Sequence, residues 1–131
     1  WWFRRTIYNF QRSSGRWGTD SLNITIYTDK LPPNAGGCAN GPVFRILEKY
    51  RDDKGIYEHE LTHVKQWFFT LTLHSLLYLV SGKYKLRSEV QAYKRQALFY
   101  PDDHRKLFAS FISKNYGLDI TEAEALKLME S

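Results

Sequence analysis

The hydrophobic period of this chain changes once, near Gly55, and that change limits the folds open to it. Upstream, Ser21 to Thr28 alternates, with Leu22, Ile24 and Ile26 on one side and Asn23, Thr25 and Tyr27 on the other. Alternation with β-branched residues predicts a half-buried strand. Leu31-Pro32-Pro33-Asn34-Ala35-Gly36-Gly37 then breaks regular structure. Pro42 to Leu47 reads as a second short strand, and Glu48 to Gly55 as a polar loop. Trp1 to Gly18 is aromatic and basic without a clear period, and reads as an N-terminal arm, a first strand or the end of a preceding segment.

Downstream of Gly55, Leu61, Val64, Phe68 and Leu71 recur at helical spacing and predict a helix from Ile56 to about Thr70. Further helices are expected over Thr72 to Val80 and Leu86 to Phe99. A fourth follows Pro101, with Asp102 and Asp103 at its N-terminus, and ends near Gly117. The last opens with Thr121 and Glu124, the spacing of a capping box. Strands first and helices afterwards predict one α+β domain over residues 1–131.

The bulk properties exclude several classes. With 43% hydrophobic and 25% charged residues, the 131-residue chain has the balance of a globular domain with a single core. A formal charge of +5 would suit nucleic acid, a bacterial cell wall or acidic lipid. The positive residues are spread, however, and neither Arg4-Arg5 nor Lys83 to Arg95 forms a nucleic-acid motif, so nucleic acid is disfavoured. One cysteine, Cys38, excludes an intrachain disulfide. The chain starts at Trp1 without an initiator methionine, and no signal peptide is visible. Its longest apolar-leaning run, Trp67 to Val80, is too short to span a bilayer and contains His74. A soluble protein is expected, cytoplasmic or part of a larger particle.

Residues 57–67 read Tyr-Glu-His-Glu-Leu-Thr-His-Val-Lys-Gln-Trp. His59 and His63 are four apart, so on a helix both imidazoles leave one face a single turn apart, the separation two nitrogen ligands of one Zn²⁺ require. Glu60 falls beside such a metal rather than on it, where it can take a proton from a metal-bound water and pass it to a leaving amine. Leu61, Val64 and Phe68 supply an apolar side opposite the ligands. A catalytic zinc also needs a third protein ligand, for which the downstream candidates are His74, Glu89, Asp102, Asp103 and His104.

The stretch Arg87-Ser88-Glu89-Val90-Gln91-Ala92-Tyr93 resembles the Glu-x-x-Ala pattern with which gluzincin (thermolysin-like) metallopeptidases supply their third ligand from a second helix. The resemblance implies that His59, His63 and Glu89 hold the zinc, with small Ala92 letting two helices approach closely. It covers about residues 20–100 and is similar in size to the minimal gluzincins. It implies a zincin-like fold: a small antiparallel or mixed sheet with an edge strand beside the active-site helix, then a helical C-terminal half. In that family the strand at 21–28 would run beside the cleft and pair with an extended substrate. Metzincins fit less well, because they need glycine at position 66 and histidine at position 69, where this chain has Gln66 and Phe69. The chain also departs from the thermolysin pattern. Tyr93 stands where an aspartate often orients the first histidine, so Glu58 or a backbone carbonyl would have to serve. Tyr78, Tyr84, Tyr93 and His104 carry suitable donors for stabilising an oxyanion, and Trp67 and several tyrosines are expected in the groove walls.

The expected function is therefore zinc-dependent hydrolysis of a peptide or protein, with a cell-wall peptide suiting the positive charge. The alternative is a non-catalytic zincin-like component of a larger assembly, such as a phage particle, with assembly partners in place of a substrate.

Overall fold

The computed structural model describes residues 8–13, 21–70 and 73–131, the first strand and residues 21–22 through their backbone alone. Strands β1 (Tyr8–Ser13), β2 (Ser21–Thr28), β3 (Gly37–Asn40) and β4 (Val43–Leu47) precede helices α1 (Lys54–Phe69), α2 (His74–Val80), α3 (Gly82–Ala97), α4 (Arg105–Asn115) and α5 (Glu122–Glu130). The expected α+β order is present. Of the N-terminal segment, Tyr8–Ser13 is a strand, and the rest lies outside the described residues, as do Leu71 and Thr72.

The sheet is mixed, in the order β1-β2-β4-β3. β1 is antiparallel to β2, β2 parallel to β4, and β4 antiparallel to β3. This overturns one expectation. Residues 21–28 are not an edge, because β2 is hydrogen-bonded on both sides; the edge nearest α1 is β3. The Pro-Pro-Asn-Ala-Gly-Gly run hides β3 in the sequence, since the last of these breakers, Gly37, is the first of the strand's four residues. Gly41, with φ 65°, supplies the positive-φ position of the two-residue loop that folds β3 back from β4.

The face of β2 turned to α1 is the more polar one. Asn23 and Thr25 are fully buried, and the Asn23 amide donates to the Tyr57 hydroxyl of α1 at 3.3 Å. Ile24 and Ile26, on the other side, are only partly buried. Strict alternation fixes which residues share a face but not which face meets the helix.

α1 starts at Asp53, whose carboxylate accepts the Ile56 amide at 3.0 Å. Leu61 and Val64 bury against Phe44 and Ile46 of β4, forming one apolar cluster. Phe68 does not complete that side, because it lies past the end of the sheet's cover and is 43% exposed. A second cluster joins Tyr93 of α3 to Phe108, Ala109 and Ile112 of α4 and to Ala125 and Met129 of α5. α3 begins at Gly82 rather than Leu86, because the Ser81 hydroxyl caps the Tyr84 amide at 3.2 Å. α4 begins at Arg105 rather than at the aspartates: Asp103 turns back to accept the Arg105 amide at 3.0 Å. At α5 the Thr121–Glu124 capping box forms with both of its reciprocal bonds.

α1 packs along α3 with Ala92 fully buried at the contact. The two helices therefore form a seam between the sheet cluster on one side and the helical cluster on the other. Ala92→Leu would overpack this seam and is expected to lower stability by about 1–3 kcal/mol, read as a shift of the denaturant midpoint at unchanged slope.

Candidate metal centre

The polar side chains of the seam converge on one point. His59 and His63, one turn apart on α1, bring their Nε2 atoms to 3.2 Å of each other. From α3, Glu89 sets Oε2 at 3.6 Å from His59 Nε2 and Oε1 at 3.5 Å from His63 Nε2. His59, His63 and Glu89 are 6%, 9% and 2% exposed, so this is a buried triad and not a surface ion pair. Among the described residues it is the one group of His, Cys, Asp or Glu close enough to bind a metal ion.

The donor spacing fits a cation. Ligands about 2.0–2.1 Å from a tetrahedral ion stand about 3.3 Å apart, and the three contacts measure 3.2, 3.5 and 3.6 Å. Two imidazole Nε2 atoms facing each other at this distance must share either a proton or a cation. Glu89 Oε2 is buried with no hydrogen-bond partner. A buried carboxylate oxygen left bare is expensive unless a cation meets it.

Each ligand is held by different neighbours. His63 Nδ1 lies 3.0 Å from Gln66 Oε1 and 3.2 Å from Ser88 Oγ. Glu89 Oε1 accepts the Tyr78 hydroxyl at 2.5 Å. The His59 ring meets the Tyr93 ring edge to face at 4.4 Å, while its Nδ1 has no hydrogen-bond partner. Glu58, considered from sequence as a partner for His59, instead pairs with Arg95 of α3 at 3.0 Å.

Electrostatics follow from burial and proximity. Burial works to lower the His63 pKa, but the Glu89 carboxylate and its hydrogen bond outweigh it and push His63 up to about 9. Burial raises Glu89, yet His63 and His59 overcome that and hold it well below the ordinary carboxylate range. Tyr78 is pushed far up, by burial and then by the Glu89 charge.

Glu60 is 4% exposed and belongs to the site without belonging to the triad. Burial raises its pKa, and the Ala39 amide of β3 donates to its carboxyl. Its Oε2 has no partner. β3 crosses so close that a Cβ on Gly37 would stand 2.5 Å from Glu60 Oε1, which is why glycine occupies that position. The triad and Glu60 line a cleft of about 1000 Å³ between the Pro32–Asn40 segment and α4.

The other sequence candidates scatter. His74 opens α2 beside the site, 6.0 Å from His63 ring to ring, but its Nδ1 bonds the Tyr84 hydroxyl at 2.8 Å and it is not in the triad. Tyr84 is committed to that contact. Tyr78 and Tyr93 do reach the site, though the Tyr93 hydroxyl is shared with Tyr116 at 2.7 Å. His104 lines the outer cleft against Tyr100, with its ring centroid 4.7 Å away. Asp102 and Asp103 are exposed, and Asp103 is clamped to Arg105 at 2.6 Å. Trp67 is not in the cleft wall; it packs edge to face on Phe68 at 5.0 Å. Sequence reading missed Gln66 and Ser88. Their signal was present, since Gln66 lies three after His63 and Ser88 immediately before Glu89.

The purified protein is expected to bind one metal ion per chain, lost in His63→Ala and in Glu89→Ala, by mass spectrometry of metal content. Because a metal ion displaces the His63 proton, affinity should rise about tenfold per pH unit toward pH 9 and level off above it. The metal-free protein runs the other way. The raised His63 pKa contributes stability below its ordinary 6.5, which is lost as pH climbs through about 9. The lowered Glu89 pKa contributes above its ordinary 4.5 and is lost in acid. Chelator-treated protein should therefore melt highest between these ordinary values and lower at pH 9.

Compared with protein-family models, with curated proteins and with solved structures, the chain matches none.

Proposed function

We propose that this chain is a zinc-dependent peptidase of the gluzincin kind, with His59, His63 and Glu89 as metal ligands and Glu60 as the acid–base residue. The observation that carries the reading is Glu60: a buried carboxyl set beside the three donors, not among them, with one oxygen bare and a raised pKa. A purely structural metal has no use for a fourth, unligated carboxyl at that depth. When bound, zinc would polarise a scissile carbonyl and lower the pKa of water.

The chain's own residues supply the rest. Glu60 takes a proton from the attacking water and returns it to the leaving amine, and a carboxyl with a raised pKa suits both transfers. Ala39 steadies Glu60 through its amide. The Leu47 amide donates to the Gly36 carbonyl at 3.0 Å, so Gly37 falls in the alternate register and its peptide groups point away from β4. Among the described residues no further strand pairs with this edge beside Glu60, which suits an extended peptide of any sequence. Tyr78 donates to Glu89 and fixes that carboxylate. Tyr78 and Tyr93 also line the cleft, and of the two only Tyr93 keeps a hydroxyl proton not already given to Glu89.

A non-catalytic role in a larger assembly is favoured by a different surface. Phe69, Leu73, Leu76, Leu79 and Val80 are 79%, 55%, 56%, 79% and 71% exposed around α2, more apolar surface than isolated exposed residues account for.

Hydrolysis of an unstructured protein such as casein separates the readings. Glu60→Gln is expected to lower the rate at least about 100-fold with zinc still bound. Full activity in that variant removes Glu60 from the mechanism, and no activity in zinc-loaded wild type favours the assembly role. Gly37→Ala should also depress activity while retaining zinc, because its Cβ displaces Glu60.

A further inference from the structure

Gln66 stands next to the metal centre without touching the triad's converging atoms, and its amide is saturated. Its Oε1 receives the Ser88 hydroxyl at 2.6 Å and faces His63 Nδ1 at 3.0 Å. Its Nε2 donates to the Ser88 backbone carbonyl at 3.3 Å and to Gln91 Oε1 at 2.8 Å. Two acceptor positions and two donor positions are all used, the full capacity of a carboxamide.

One of these contacts fixes the direction of the others. A backbone carbonyl can only accept, so the Ser88 carbonyl requires the NH₂ end of Gln66 on its side. The amide oxygen must then face His63. An oxygen there also only accepts, so the proton of the His63 ring belongs on Nδ1. In the neutral imidazole Nε2 is then left with its lone pair, directed at His59 Nε2 and Glu89. The hydroxyl of Ser88 agrees with this direction: its hydrogen is given to Gln66, and its lone pair lies 3.2 Å from the same Nδ1.

We infer that Gln66 is the positioning residue of the metal centre: held by the α3 backbone at Ser88, it sets the tautomer and the ring plane of His63 so that Nε2 is always the ligating nitrogen. This rests on the metal-centre reading above. It also joins the two helices that carry the ligands, since the same side chain bonds α1 to Ser88 and Gln91 of α3. His59 has no equivalent, its Nδ1 lacking any hydrogen-bond partner. The two imidazoles of the site are therefore unequal, with His63 preset and His59 oriented by ring contact with Tyr93. Carboxylate or carbonyl partners of ligand imidazoles raise metal affinity about 10–100-fold.

The test compares zinc affinity, by chelator competition, with melting temperature in Gln66→Leu and Gln66→Glu. Both variants lose the donors to Ser88 and Gln91, but Gln66→Glu keeps an acceptor for Nδ1. The expected result is an affinity loss of about 10–100-fold in Gln66→Leu, substantially restored in Gln66→Glu, with both variants melting below wild type. Unchanged affinity in Gln66→Leu, or equal losses in the two variants, would overturn the inference and leave Gln66 a helix tie only. Nitrogen-15 NMR of His63 in wild type gives the second reading, which no unfolded variant can spoil. Zinc-loaded protein should show a hydrogen-bonded proton on Nδ1, and a proton on Nε2 in metal-free protein in alkaline buffer overturns the proposal. A wild type that takes up no zinc refutes the metal centre itself, while the alkaline spectrum still decides the Gln66 contact.

Discussion

The structure turns on bringing a glutamate carboxylate to two imidazoles inside a seam between helices. Glu89 is 2% exposed, and a carboxylate at that depth is tolerated only with compensating charge or hydrogen bonds. His63 provides the positive partner, the His59 ring stands beside it, and Tyr78 provides a hydrogen bond. The seam can be this narrow because Ser88 and Ala92, on the face α3 turns to α1, are small and buried. A larger residue there would hold the carboxylate away from the nitrogens.

Two apolar clusters keep the seam closed. Phe44 and Ile46 press on Leu61 and Val64 of α1 from the sheet side. Phe108, Ile112 and Met129 press on Tyr93 of α3 from the other side. The polar groups are thus enclosed by hydrophobic burial that they do not themselves supply. In metal-free protein the His63 proton stands in for a cation, which is the physical content of a histidine pKa near 9 beside a carboxylate held low. A metal ion held there would compete with that proton for one place, so the charge state of the seam and its occupancy would be a single variable.

The sheet contributes through its edge. β3 is four residues long, yet it brings the Ala39 amide to Glu60 and leaves no room for a side chain at Gly37. Its neighbour β4 holds the core contact to α1, so the edge strand and the helix that carries Glu60 are fixed to the same apolar cluster. Rigid support of this kind would keep Glu60 in place for the proton transfer proposed for it.

His59, Glu60 and His63 were legible in the sequence because their relation is local: a helix of 3.6 residues per turn puts positions four apart on one face whatever surrounds it. The capping box at Thr121 and the periodicity of α1 were legible for the same reason. Glu89 could be anticipated through a resemblance, but its meeting with the histidines depends on the packing of α1 on α3. The strand at 21–28 was also visible, whereas its place inside the sheet was not, because strand order depends on pairing between distant segments. The same holds for Asn23 and Thr25, whose burial depends on which face of β2 meets α1. Gln66, Ser88 and Tyr78 acquire their roles only once three helices converge. Helical periodicity determined which groups of α1 share a face, and tertiary packing decided which distant partners, hydrogen bonds and depth of burial those groups received.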